Sequence, residues 1–177
     1  MYRVYLGMGS NIGDRLKFLT QAVEEISAIA IIHSISSVYE ADPVGMASEQ
    51  LFYNLALSID THDRPPELLK KLKHIERKLG RRRSSHLRDR EIDIDILLYR
   101  GWSYDDESVT VPHPHLMQRR FVLEPLNEIE PIAIHPVFGQ TIATLLRHCR
   151  DHSTVVRTSH VINLMSYHEQ GSPEILA

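Results

Sequence analysis

The sequence predicts an α+β protein: a ferredoxin-like βαββαβ layer sandwich with extra C-terminal elements. Three observations lead there. Alternation of apolar and polar residues marks strands at 2–8, 31–39, 53–60 and 91–99. Two amphipathic helices fall between them, giving the order β-α-β-β-α-β up to residue 99. The last of these strands, "EIDIDILLY", places Ile92, Ile94 and Ile96 on one face and Glu91, Asp93 and Asp95 on the other.

The elements follow in order. "YRVYLGM" is a strand that Gly9, Ser10 and Asn11 break, with Gly9 read as a tight strand-to-helix turn. Asn11 or Asp14 caps a helix running to about Ala28, with Leu16, Leu19, Val23 and Ile26 on its buried stripe. After the strand at 31–39, "ADPVGMASEQ" is a loop holding Pro43 and Gly45. "YNLALSID" turns Leu55, Leu57 and Ile59 inward. A second helix opens at Pro65-Pro66 and stops at Gly80, with Leu68, Leu69, Leu72, Ile75 and Leu79 facing the core. Residues 81–90 form a basic loop. Beyond the acidic strand come a short strand near 109–111, a Pro/His segment at 112–115, a helix near 141–150 and a last strand at 154–165. Residues 1–165 read as one domain and 166–177 as a loose tail.

Composition narrows the function. A chain of 177 residues with 42% hydrophobic and 24% charged content is an ordinary globular protein with a real core. The single cysteine, Cys149, excludes an internal disulfide framework and fits the cytoplasm. Arg3 and the lack of a long apolar run argue against a secretory signal. The apolar stretch at 26–35 is broken by Ser27, His33 and Ser34, so no membrane span is expected. A net charge of −3 argues against a nucleic-acid partner. The charge is uneven, however: Arg77, Lys78, Arg81, Arg82, Arg83, Arg88 and Arg90 face one acid, Asp89, just before the acidic strand.

That strand raises a physical question. Carboxylates at i and i+2 lie about 7 Å apart and repel by roughly 2 kcal/mol at an effective dielectric near 20. Asp93 and Asp95, anchored by buried isoleucines, make a rigid clamp for hard cations, with the cations of the basic loop placed to hold a polyphosphate. The bland alternative is a solvated face paired with arginines. Glu91, at the strand start, is a bystander. "LGMGSNIGD" is not a dinucleotide fingerprint, because Ile12 stands where the third glycine belongs; beside the turn reading, Ser10 and Asn11 could hydrogen-bond across to an active site. A nucleotidyltransferase is disfavoured because Gly9-Ser10 lies far upstream of Asp93. His113 and His115 lack further ligands for zinc; each can instead donate to a phosphate, or is simply an exposed histidine, as most of the 11 in the chain are expected to be. Asn54, set among apolar residues, is either a satisfied core amide or a reader of a heterocycle edge.

Taken together, "LGMGSNIGD", "YEADPVG", "FYNLAL", "IERKLGRRR", "REIDIDILLY" and "VTVPHPHLMQRRFVLEPL" resemble the 6-hydroxymethyl-7,8-dihydropterin pyrophosphokinases over roughly residues 4–130. The resemblance implies transfer of the β,γ-diphosphate of ATP to the hydroxymethyl group of 6-hydroxymethyl-7,8-dihydropterin, with release of AMP. It implies two Mg²⁺ ions on Asp93 and Asp95, with Arg81, Arg90 and Asp95 as catalytic residues. Glu76, Arg81, Arg83, Arg90, Ile96, Thr110, His113 and Arg119 match ATP-side positions. Ala41, Asp42, Val44, Phe52, Asn54 and Phe121 match pterin-side positions, the two phenylalanines sandwiching the ring. Two departures stand out: Asp89 occupies a position that is usually proline, and Leu87 one where some members carry tryptophan. The basic loop is therefore expected to close over substrate differently, and residues from about 152 onward have no match. A monomer is expected, with a dimer as the alternative. The competing readings are a ferredoxin-like nucleic-acid-binding module, disfavoured by the lack of an aromatic RNP pattern, and a non-catalytic relative.

Overall fold

The computed structural model describes residues 1–45, 48–81 and 89–163. Arg83, Leu87 and the tail expected at 166–177 lie outside them. The elements run β1 (Tyr2–Ser10), α1 (Arg15–Ser27), β2 (Ile31–Ile35), β3 (Tyr39–Ala41), β4 (Phe52–Thr61), α2 (Pro65–Lys78) and β5 (Asp93–Tyr99). They continue with β6 (Tyr104–Asp105), β7 (Thr110–Val111), a 3-10 turn (Leu116–Gln118), α3 (Arg120–Ile129), α4 (Ile142–Arg147) and β8 (Val155–Arg157). The result is an α+β fold whose main sheet is antiparallel, in the order β5-β1-β4-β3-β8, with β2 also on β4.

One sheet face carries α1 and α2. Val4, Leu6 and Met8 of β1, Leu55, Leu57 and Ile59 of β4, and Ile92, Ile94 and Ile96 pack there against Leu19, Val23 and Ile26 of α1 and Leu68, Leu72 and Ile75 of α2. Each such fully buried aliphatic side chain is worth about 1.5–3 kcal/mol of transfer free energy. Asp14 caps α1, accepting from the Lys17 N–H at 3.1 Å. The opposite face carries α3 and α4, where Leu123, Leu126, Ile142 and Leu145 meet Tyr5, Ala56, Leu97 and Leu98.

Several expectations are corrected. β1 does not break at Gly9 but runs on through Ser10, paired with β4 and β5. The left-handed turn comes at Gly13, with φ of 66°. The expected strand at 31–39 is two strands. Ser36 interrupts it: its Oγ accepts from the Ala56 N–H at 2.9 Å and donates to the Ser37 carbonyl at 2.8 Å. β5 starts at Asp93, leaving Glu91 outside the strand. Its alternation also fails midway. Leu6 pairs with Ile96 but Tyr5 with Leu98, so Leu97 is an extra residue in a bulge that reverses the parity beyond it. The helix expected near 141–150 spans only Ile142–Arg147, and the last strand only Val155–Arg157. α3 was not expected, because Pro125 sits inside it.

Glu128 fastens α3 to the sheet edge. Its carboxylate accepts from the Ser37 N–H at 3.1 Å, Ser37 Oγ at 2.9 Å, Tyr39 OH at 2.9 Å and Arg157 Nη2 at 3.2 Å. Burial pushes the Tyr39 phenol up, and its hydrogen bond to Glu128 adds to that. Glu128→Ala should cost about 2 kcal/mol, since hydrogen bonds to a charged group are the stronger kind and part of the loss is recovered by water. For a chain of this size that lowers Tm by roughly 4–8 °C. A melting curve that does not move would mean that packing alone docks α3.

Candidate active site

The face of the sheet bearing α3 is covered at one end only. At the other, the strands present two glycines and the polar side chains of Asn54, Asp93 and Asp95, with Phe52 beside them. Gly7 pairs with Asp95 and Ala56, and Gly9 with Asp93 and Asn54. A Cβ at Gly9 would meet Asn54 Oδ1 at 3.0 Å, and one at Gly7 would meet Leu97 Cδ2 at 3.1 Å. The glycines thus make a floor without side chains. Around it stand Asp42, Val44, Phe52, Asn54, Arg90, Asp93, Asp95, Arg119 and Phe121, all lining one pocket.

Charge is concentrated at the β5 side. Asp93 is bonded to Arg81 Nη1 and lies 3.0 Å from Arg90 Nη1 and 4.0 Å from Lys73 Nζ. Burial alone would raise its carboxyl, but Arg90, Arg81 and Lys73 outweigh it and hold the group below its ordinary value. Asp95 is the opposite case. Burial and the neighbouring Asp93 push it up, and no described side chain donates a hydrogen bond to it. The acidic face is therefore one carboxylate neutralised by arginine and one with no donor among the described side chains.

Glu76 underlies this arrangement. It is 2% exposed, and its Oε1 accepts from Arg81 Nη1 at 2.6 Å, the Ile94 N–H at 2.7 Å and Lys73 Nζ at 2.8 Å. It holds Arg81 against Asp93 rather than opening onto the pocket. His113 is placed by its own N–H, which donates to the Leu97 carbonyl at 2.8 Å. Its Nδ1 accepts from the His115 N–H at 3.1 Å, so the proton of the neutral ring sits on Nε2. Burial lowers the His113 pKa, and the Asp95 carboxylate opposes that.

Most of the residues singled out by sequence converge, and some do not. Ile96 packs in the core on the α1 and α2 side, so its side chain is turned away from the pocket. Ala41 is buried in β3 beside the pocket-lining Asp42. Thr110 and His113 line an adjoining cleft with Pro112 and His135. Thr110 Oγ1 donates to Asp105 at 2.6 Å. Sequence reasoning missed Lys73 and the floor glycines, and for Asn11 it gave a contact across to the site without its partners. A Lys at 73 three residues before Glu76 on a helix was a readable pair; the partners of Asn11 lie 78 and 79 residues away and left no local signal.

Two features point to a ligand. Asn54 is buried, yet its Nδ2 has no hydrogen-bond partner among the described residues. Buried polar atoms are nearly always satisfied, so an orphan donor beside two phenyl rings marks a site for a polar-edged flat molecule. Beside it lies the acid pair with its arginines, suited to phosphate.

Residues 5–131 match the family model described as 7,8-dihydro-6-hydroxymethylpterin-pyrophosphokinase. The chain is 43% identical over 142 residues to the 2-amino-4-hydroxy-6-hydroxymethyldihydropteridine pyrophosphokinase of Aquifex aeolicus, covering 80% of this chain and 89% of that one. It is 43% identical over 127 residues to the protein of the same name from Bacillus subtilis, covering 71% and 76%. In fold it resembles the Plasmodium falciparum HPPK-DHPS structure, with a TM-score of 0.69 at 16% identity over 82% of this chain, which spans 44% of that longer one.

Proposed function

This chain belongs to the 7,8-dihydro-6-hydroxymethylpterin-pyrophosphokinase family, and on that premise we propose how its own residues carry out the transfer. The reaction moves the diphosphate of ATP to hydroxymethyldihydropterin in folate biosynthesis. The alcohol oxygen forms a bond to the β-phosphorus, the bond from that phosphorus to the α-phosphate oxygen breaks, AMP leaves and the alcohol proton is released. The observation that carries the assignment of subsites is the orphaned Asn54 amide beside the Asp93–Asp95 pair.

Asn54 reads the polar edge of the pterin, with Phe52 and Phe121 on its two faces and Asp42, Val44 and Ala41 forming the adjoining wall. The triphosphate takes the other half, held by Arg90, Arg81 and Arg119, with the Nε2 proton of His113 as a further donor. Thr110 and the backbone beside Ile96 border the nucleotide. Glu76 acts by positioning Arg81. Arg83 keeps its proposed ATP contact as an expectation alone. The strand order within the first hundred residues, β5-β1-β4 with β2 and β3 both on the far side of β4, supports the ferredoxin-like reading.

The donor set fits Mg²⁺. Two carboxylates on one rigid strand face are what this ion takes when phosphate oxygens and water complete its shell. Among the described residues no group of three or more His, Cys, Asp or Glu side chains gathers to hold a metal without substrate. Bound there, two Mg²⁺ ions would neutralise charge on the attacking and leaving oxygens. Asp95, with no donor among the described side chains, is the stronger anchor; Asp93 shares its charge with Arg81 and Arg90. No helix among the described residues is long and apolar enough to cross a membrane.

Two experiments test this reading. With Mg-ATP and hydroxymethyldihydropterin, chromatography should show AMP and the pterin diphosphate. ADP as the main product would overturn it. Phe121 lines the pocket at the start of α3, with the Arg119 guanidinium 5.9 Å from its ring centroid. Losing a stacked ring costs about 1 kcal/mol or more beyond area. Phe121→Ala should therefore weaken pterin binding by roughly tenfold and leave Mg-ATP binding nearly intact. Equal losses in calorimetry would make Phe121 a fold residue instead.

A further inference from the structure

Three segments meet at one exposed carboxylate beside the pocket. Asp89 Oδ1 accepts from Ser48 Oγ at 2.6 Å and from Asn11 Nδ2 at 2.7 Å. Ser48 belongs to the stretch that leads into Phe52, and its own Oγ accepts from the Gln50 N–H at 3.1 Å. Asn11, 1% exposed at the end of β1, grips the other side. Its Oδ1 accepts from the Arg90 N–H at 2.8 Å, and its N–H donates to the Arg90 carbonyl at 3.2 Å. Asp89 thus stands between a segment that ends on the pterin-side Phe52 and the residue that presents Arg90. Arg90 in turn lies over the Phe52 ring at 5.5 Å.

We propose that Asp89 is a positioning residue that bridges the pterin-side segment at Ser48 to the Asn11–Arg90 anchor and so sets the pterin wall against the phosphate-side arginine. The proposal rests on the pyrophosphokinase reading of the pocket. Its physical basis is a two-donor contact on one charged oxygen. Hydrogen bonds to an ionised acceptor are shorter and stronger than neutral ones. Asn11 holds the Arg90 backbone independently of Asp89, so loss of the carboxylate frees the Ser48 side more than the arginine. A proline, the residue the resemblance led one to expect here, offers no side-chain acceptor and could not make this bridge.

The bridge predicts a split in kinetics. Asp89→Ala and Ser48→Ala should each raise KM for the pterin about 5- to 10-fold, with kcat within about threefold of wild type, on the scale of one exposed charge-assisted bond. The double variant should be no worse than the more affected single one, because both changes remove the same contact. Asp89→Asn keeps the accepting oxygen and should restore KM to within about twofold. Hydrogen exchange, read on the free protein, crosses the bridge. Asp89→Ala should speed exchange at the Gln50 amide, across the bridge, and leave the Arg90 amide, which Asn11 holds, little changed. Additive KM effects, no rescue by asparagine, or exchange changes confined to the mutated segment would each overturn the bridge. Absence of pterin-dependent AMP release from wild type would overturn the functional reading instead, and the crossed exchange would still decide the bridge.

Discussion

Arg90→Ala is expected to lower kcat/KM about 10²- to 10³-fold, the scale of removing one fixed donor from a site of developing charge. Arg90 lines the pocket, and its Nη1 lies 3.0 Å from Asp93 Oδ2. Asn11 holds its backbone at both the N–H and the carbonyl, so the side chain starts from a fixed point. The fork of a guanidinium matches phosphate oxygens in a way that an ammonium does not, so Arg90→Lys should recover only part of the loss. Folding should survive the change, because Asp93 keeps Arg81 and Lys73. Steady-state kinetics with both substrates varied, set beside a melting curve, provide the check. An alanine variant within tenfold of wild type would reduce Arg90 to a counter-ion for Asp93.

Much of this site could be read from local sequence, for a physical reason. A strand's side chains alternate strictly, so D-x-D within "EIDIDILLY" puts both carboxylates on one face whatever the rest of the chain does. The same parity already put Ile96 with Ile92 and Ile94 in the core, which is where its side chain lies. Parity could not show the bulge at Leu97, which depends on the register chosen by Tyr5 and Leu6 in another strand. Gly9 misled because glycine marks turns as well as close approach. Here the missing side chain serves a pocket floor inside a strand. α3 was hidden because Pro125 interrupts the helical signal, although Leu123 and Leu126 supply its buried stripe. The contacts that tune the site were the least legible: Asn11 and Arg90 are 79 residues apart, and nothing near either one announces the other.

Asp95→Asn is expected to lower turnover by roughly 10³-fold or more while leaving the fold intact, because the loss falls on stabilisation of transferring phosphate charge. Asparagine keeps the size of the side chain and the geometry of β5. It removes the carboxylate that burial and Asp93 push up, and that no described donor satisfies. The sign for stability follows. A carboxyl raised in the folded state holds its proton more tightly there than in the unfolded chain, so ionising it costs stability. That cost is absent well below the ordinary value of 3.8, grows as pH rises through it, and is complete once the folded group has ionised. Without divalent cations the variant should therefore melt no lower than wild type at neutral pH. It should gain at most about 1–2 kcal/mol from relief of the Asp93–Asp95 repulsion, and the two should converge in acid. Added Mg²⁺ and nucleotide should stabilise wild type and do much less for the variant, because a ligand raises stability only in proportion to its binding to the native state. A variant that melts far below wild type would make Asp95 a structural acid with a partner of its own. One that keeps near-normal turnover would show that the paired carboxylates are not where charge is neutralised during transfer, and the acidic face of β5 would need another explanation.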